Sequence, residues 1–273
     1  MAQDQARETA APSNRDFLIG LARAFAGALI FSLPMLMTME MWELGFYMSP
    51  ARLALMLVLT LPILVGLSRF GGFRPTASLA DDVADALVAI LVALAASTAT
   101  LLVFGVTNDE MSASEVAGKI ILQVPPAALG AMLARSQLGM GADEQPGSYL
   151  GELFLMGVGA LFLSFNMAPT EEMVLIAYKM SVEQEIVLLA GTLLLMHALV
   201  YSVDLPGTHR DGTGWSALVR FTIPGYAIVL MVSLLVLWLF GRLDGFSSAE
   251  SLSAAIVLSF PGAIGAAVAR LVL

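Results

Sequence analysis

Eight stretches of this chain, roughly 17 to 41, 51 to 69, 83 to 106, 115 to 135, 150 to 169, 185 to 203, 216 to 240 and 250 to 272, are strongly apolar. Each approaches or reaches the ~20 residues that carry an α-helix through a bilayer. The expected fold class is all-α: a polytopic membrane protein of eight transmembrane helices. A composition 58% hydrophobic and only 13% charged agrees, as does a mean hydropathy of +0.85, both far from the soluble range. Turn-forming runs separate the spans: G-G-F-R-P at 71 to 75, T-N-D-E at 107 to 110, A-D-E-Q-P-G at 142 to 147 and D-L-P-G-T-H-R-D-G-T-G at 204 to 214. No connection is long enough to form a soluble domain.

The chain also repeats itself. A slide of 132 positions lays G-A-L-I-F-S-L-P-M-L-M-T-M-E-M, from Gly27, over G-A-L-F-L-S-F-N-M-A-P-T-E-E-M, from Gly159, with ten identities in 23 positions through Ser49 and Ser181. A slide of 135 lays residues 112 to 135 over 247 to 270 with nine identities in 24, Glu115 with Glu250, Pro126 with Pro261 and Arg135 with Arg270 among them. The expected organisation is a disordered cytoplasmic tail over 1–16, a four-helix repeat over 17–137, a cytoplasmic linker over 138–148 and a second repeat over 149–273. Four spans return the chain to its starting side, so the repeats should be parallel and related by a pseudo-two-fold axis along the membrane normal.

Orientation follows from Lys and Arg. With both termini in the cytoplasm, Arg7, Arg15, Arg23, Arg69, Arg74, Arg135, Arg210, Arg220 and Arg270 lie inside and Arg52, Lys119, Lys179 and Arg242 outside. The outer ends then hold eleven acids, Glu40, Glu171 and Glu172 among them, so that face is negative. Ser112 with Glu115 and Ser247 with Glu250 fit capping boxes at the outer starts of spans 4 and 8. Pro126 and Pro261 should kink those spans. Ser49 and Ser181 mark the starts of spans 2 and 6. Asp81, Asp82 and Asp85 read as caps of span 3, and Glu43 beside Trp42 as an interfacial charge.

Glu172 aligns with Glu40 and Thr170 with Thr38, and Pro169 should end span 5 near Asn166 with a new turn from Thr170. A carboxylate at membrane depth must find a partner, reach water or take a proton. Lys119, Lys179 or Arg52 can neutralise one glutamate, leaving a surplus of negative charge. Glu40, Glu171 and Glu172, helped by Thr38, Thr170 and Asn166, therefore form the candidate ion-binding or transport site between the repeats. Glu40 and Glu172 are its candidate metal ligands, and calcium or protons suit an oxygen-only cluster best. His197 is a candidate proton relay, with packing as its alternative. Met35, Met37, Met39 and Met41 read chiefly as adaptable packing, a copper(I) site being the lesser alternative.

M-T-M-E-M-W at 37 to 42 and A-P-T-E-E at 168 to 172, with the tandem four-helix layout, resemble a bacterial family of integral membrane proteins known as a domain of unknown function. The likeness covers nearly all of the chain after residue 16 and implies the bacterial inner membrane. With no cysteine, no H-E-x-x-H and no nucleotide-binding loop, an enzyme is not expected, nor is a cofactor beyond a bound cation. A net charge of −9 speaks against nucleic acid. Expected partners are the lipid bilayer, an inorganic cation and a second copy in a homodimer. The expected function is a cation channel or transporter; the alternative is a membrane scaffold or regulatory subunit whose glutamates only cap helices.

Overall fold

The computed structural model describes residues 14–70, 78–137, 148–202 and 214–272. Residues 1–13 of the expected tail, 138–147 of the expected linker, and Arg7, Arg74, His209 and Arg210 lie outside them. The described residues form α1 (Asn14–Leu36), α2 (Met39–Tyr47), α3 (Pro50–Phe70), α4 (Leu79–Val103), α5 (Ala113–Gln137), α6 (Tyr149–Met167), α7 (Glu171–Lys179), α8 (Val182–Ser202), α9 and α10 (Ser248–Val272). α9 begins as Gly214–Ala217, passes through a π-helical turn at Leu218–Thr222 and continues as Ile223–Leu239. Eight of these helices are long and apolar enough to cross a membrane; the short ones are α2 and α7.

Where the sequence suggests an unbroken first span to residue 41, the chain breaks after Leu36. Trp42 Nε1 donates to Leu36 O at 2.8 Å, satisfying a carbonyl that the helix end leaves free. Thr38 Oγ1 likewise turns back to Pro34 O. In the second half Pro169 produces the expected break, between Met167 and Glu171. α2 and α7 then pack against α5 and α10. This defines a break end of the bundle, opposite the end where α1 and α6 begin.

Both halves close on the same backbone contact. α1 crosses α5 so tightly that a Cβ on Gly27 would strike the Gly130 carbonyl, and α6 crosses α10 with Gly159 against the Gly265 carbonyl. The residues correspond at slides of 132 and 135. Close approach through glycine is how helices associate in lipid, where apolar surface alone gives little drive. Accordingly α5 and α10 are the most enclosed spans, 78% and 67% buried.

The halves run parallel, their break ends joined by a fork of Arg52 Nη1 and Nη2 on the Asp244 carboxylate, both bonds 2.6 Å. Arg52 also lies over the Trp238 ring at 5.3 Å. Deeper in the seam, α3 docks on α6 and α9. Phe70 meets Phe154 at 5.5 Å, the missing side chain of Gly66 leaves room for the Phe154 ring, and Phe31 of α1 meets Phe162 at 4.6 Å.

This seam does not confirm the expected two-fold relation. A two-fold pair is self-complementary, so α8 should dock on α1 and α4 as α3 docks on α6 and α9. Instead α8 packs on α10 and the π-helical turn, and its span is 11% buried against 33% for α3. The halves are joined one way, donor face to acceptor face.

The Arg52 bridge gives a pH test. Its hydrogen bond holds the Asp244 carboxyl below the ordinary 3.8, partial desolvation working against it and the guanidinium charge adding to it. The folded value is the lower one, so the contribution is complete above the unfolded pKa and disappears as pH falls through the folded one. For so exposed a pair it is on the order of 0.5 kcal/mol. The melting-temperature difference between wild type and Asp244→Asn should therefore be present at pH 6 and shrink below about pH 4; a pH-independent difference would show that the bridge is not its source.

Candidate functional site

The repeated carboxylates stand in the first turns of the short helices, Glu40 in α2 and Glu171 with Glu172 in α7. Negative charge there complements the partial positive charge of a helix N-terminus. Glu40 is half-buried, and Glu171 and Glu172 are exposed. None of the three has a hydrogen-bond or ion-pair partner among the described residues. The neighbouring bases are engaged elsewhere: Lys119 with Glu115 at 2.9 Å and with Val106 O at 3.3 Å, Arg52 with Asp244, and Arg242 with Pro169 O. Lys179 is exposed.

No group of three or more His, Asp or Glu among the described residues can hold a metal ion. Glu40, Glu171 and Glu172 are thus not such a group of three. Their proposed helpers donate to their own helices: Thr170 Oγ1 to Met167 O at 3.0 Å, Asn166 Nδ2 to Phe162 O at 2.8 Å, and Thr38 Oγ1 to Pro34 O; Asn166 Oδ1 is buried and has no partner among the described residues. The methionines divide, with Met35 and Met41 in the core and Met37 and Met39 exposed. Each i, i+4 pair is split, which leaves packing as the reading.

The capping residues diverge between halves. Ser247 and Glu250 form the full reciprocal box, N–H to Oε2 at 2.7 Å and N–H to Oγ at 3.3 Å. Ser112 caps Glu115 N at 3.2 Å, but Lys119 draws the Glu115 carboxylate away. Ser181 and Gln184 form a further box that the sequence reading did not identify. Ser78 and Asp81 cap α4. Asp82 does something else: it is buried and accepts from Ser68 Oγ at 2.9 Å, tying α4 to α3.

The polar groups that stand out lie inside the four-helix units. In the first half, Gln123 is fully buried and neither amide atom has a partner among the described residues; Ser97 Oγ is equally unpartnered there. Leu36 and Leu101 share one cluster, so α1 and α4 run in register and Ser97 lies level with buried Ser32. In the second half their counterparts are Ser233 and Ser164, both buried with unpartnered hydroxyls. A Cβ on Gly262 would lie 3.2 Å from Ser164 Oγ and 3.8 Å from Ser233 Oγ, so both hydroxyls converge on one side of α10. One turn away, Ser259 Oγ donates to Ile256 O at 2.7 Å, which makes Tyr226 OH the donor in the 2.8 Å contact between the two hydroxyls. Further along α9, His197 Nδ1 lies 2.9 Å from Thr222 Oγ1, at the end of the π-helical turn.

Two prolines add acceptors. Lacking an N–H, Pro126 and Pro261 leave the carbonyls of Leu122 and Val257 without their usual helical donors. Unpaired buried polar atoms are costly, more so where lipid replaces water. The unpartnered hydroxyls of Ser97 and Ser233 and the freed carbonyls of Leu122 and Val257 recur at matching places and mark the unit interiors as polar sites, whereas Ser32 donates to Ala28 O at 2.6 Å and Gln123 has Leu258 as its counterpart. Between the halves, by contrast, lies an apolar cavity of about 20 Å³ bounded by Met56, Leu59, Leu129, Leu161 and Leu235 among others.

Among known proteins, no curated protein and no solved structure matches the chain. A family model described as "Putative integral membrane protein (DUF2391)" matches residues 20–273.

Proposed function

The chain belongs to the DUF2391 family of integral membrane proteins, and from that premise we propose that it carries a small cation, protons foremost, across the bacterial inner membrane. Both termini face the cytoplasm in this reading, so the break end faces outward. Glu40, Glu171 and Glu172 draw cations there as a diffuse negative field, rather than as a ligand cage of the six to eight oxygens that calcium takes. The route runs through the interior of the units and not through the apolar seam. The observation that carries this is the set of buried, unpartnered polar atoms, Gln123 and Ser97 in one half and Ser164 and Ser233 in the other. In the second half Tyr226, Ser259, Thr222 and His197 extend it toward the cytoplasmic side, with His197 as proton relay.

The test is a flux assay in proteoliposomes, with a trapped pH dye and a panel of sodium, potassium and calcium gradients. Ser164→Ala with Ser233→Ala should lower proton flux at least tenfold, and Glu172→Gln should lower it more at low than at high salt, because the field is screened. Wild-type flux from the serine pair, or no flux of any ion from the native protein, would end the proposal. The second reading, a scaffold or regulatory subunit, is favoured by the closed apolar seam; a stable partner on pull-down together with no ion flux would select it.

A further inference from the structure

The one-way docking of the halves leaves two faces in each chain without the partners that their counterparts have. α8 corresponds to α3 end for end, Pro50 with Val182 and Phe70 with Ser202, yet among the described residues no helix of the other half docks on it to the extent that α6 and α9 dock on α3. The opposite mate, formed by α1 and α4, is better enclosed within its own unit, 28% and 39% buried against 11% for α8, and α1 touches the other half at Phe31. Correspondence along α4 is set at 136 by the turns that follow it and α9, where Gly105 and Gly241 both have positive φ, 67° and 73°. Leu239, 2% exposed in the seam, then has Val103, 83% exposed, as its counterpart; Phe165, 3% exposed, has Leu33, 44% exposed.

We propose that a second copy of the chain covers these faces, its α1 and α4 docking on α8 just as α6 and α9 dock on α3 within one chain. Exposed apolar area in lipid does not argue for this, since acyl chains cover it as well as protein does. Three other observations do. Gly66, which admits the Phe154 ring in the seam, corresponds to exposed Ala198, and Leu59 to exposed Gly191. A Cβ on Gly191 would meet nothing within 4 Å, so no contact inside the chain accounts for a glycine that lowers helix stability by about 1 kcal/mol relative to alanine. Small residues on this face suit a close helix partner.

The polar corner of the seam also has its counterpart. Arg52 corresponds to Gln184 and Asp244 to Asn108, both exposed at the break end. Gln184 Oε1 already accepts from Ser181 N at 2.8 Å, which leaves its amide N–H groups to reach Asn108 Oδ1 of the second copy, an oxygen that also accepts from Glu110 N at 3.1 Å. A neutral amide pair replaces an ion pair. The proposed contact keeps the register of the seam at lower strength, as suits separate chains. Two chains set reciprocally use both faces of each, and this head-to-tail docking closes as a dimer when each contact turns one unit a quarter turn from the next.

Because the chain has no cysteine, the test can use introduced thiols. Leu59 and Leu239 line one cavity in the seam, so their counterparts Gly191 and Val103 should face each other across chains. Oxidation of Gly191→Cys/Val103→Cys in native membranes should give a covalent dimer, and each single variant should stay monomeric on a non-reducing gel. The equally exposed control pair Val58→Cys/Leu91→Cys should not link. Light scattering of the native protein in nanodiscs should give twice the chain mass, and Gly191→Trp should halve it while leaving the melting temperature of the chain nearly unchanged. A monomeric mass, or equal linking by the control pair, overturns the docking and leaves lipid as the cover. Flux from a monomer would sink only this proposal; a dimer without flux would sink only the transport reading.

Discussion

Replacing Gly265 with alanine is expected to destabilise the protein by roughly 3 kcal/mol or more. A Cβ there would collide with the Gly159 carbonyl, and the opposing atoms are backbone, which cannot swing aside. The crossing of α6 and α10 would have to widen, loosening a span that is 67% buried. For a chain of this size that corresponds to a fall in melting temperature of about 10 °C, read by fluorescence-detected size exclusion after heating in detergent. Gly130→Ala should do the same in the first half. Gly20→Ala is the control, because a Cβ there would meet nothing within 4 Å, and it should be neutral or raise stability by up to about 1 kcal/mol. If Gly265→Ala and Gly20→Ala melt together, the close crossing is wrong.

Gln123→Leu should separate stability from activity. The side chain is fully buried and both amide atoms lack partners among the described residues. An apolar side chain of similar volume removes that desolvation penalty, so the variant should be unchanged or more stable by up to about 2 kcal/mol. Proton flux should fall at least tenfold if the unit interiors carry it. A stable variant with native flux would remove the first-half interior from the route. A loss of more than about 2 kcal/mol would show that the amide holds the fold together.

Much of this architecture is legible in the sequence because lipid permits so few solutions. Length and hydropathy announce the spans, and Pro169 announces the second break. The matching first break was present in the alignment of Glu40 with Glu172, but the apolar run through Met41 concealed it. What the sequence did not carry was which apolar faces meet. A leucine facing lipid and one facing another helix have the same chemistry, so the repeat revealed two like units and not their one-way docking. The glutamates drew attention as rare charges, whereas Ser164 and Ser233 looked ordinary, since small hydroxyl residues are common in membrane helices. Their pairing with Ser32 and Ser97 across the repeat was the available signal. Asp82, grouped with its neighbours as a cap, differs from them only in the helical face it occupies.

The π-helical turn at Leu218–Thr222 leaves a record of ancestry. The closing glycines of α4 and α9, Gly105 and Gly241, lie 136 apart, one more than the 135 that separates Ser112 from Ser247. A π turn is how a helix absorbs one inserted residue without rotating everything that follows. One codon gained after the ancestral gene doubled would leave this trace, and its deletion should return the third span of the second half to regular winding, at the expense of the bond between Thr222 and His197.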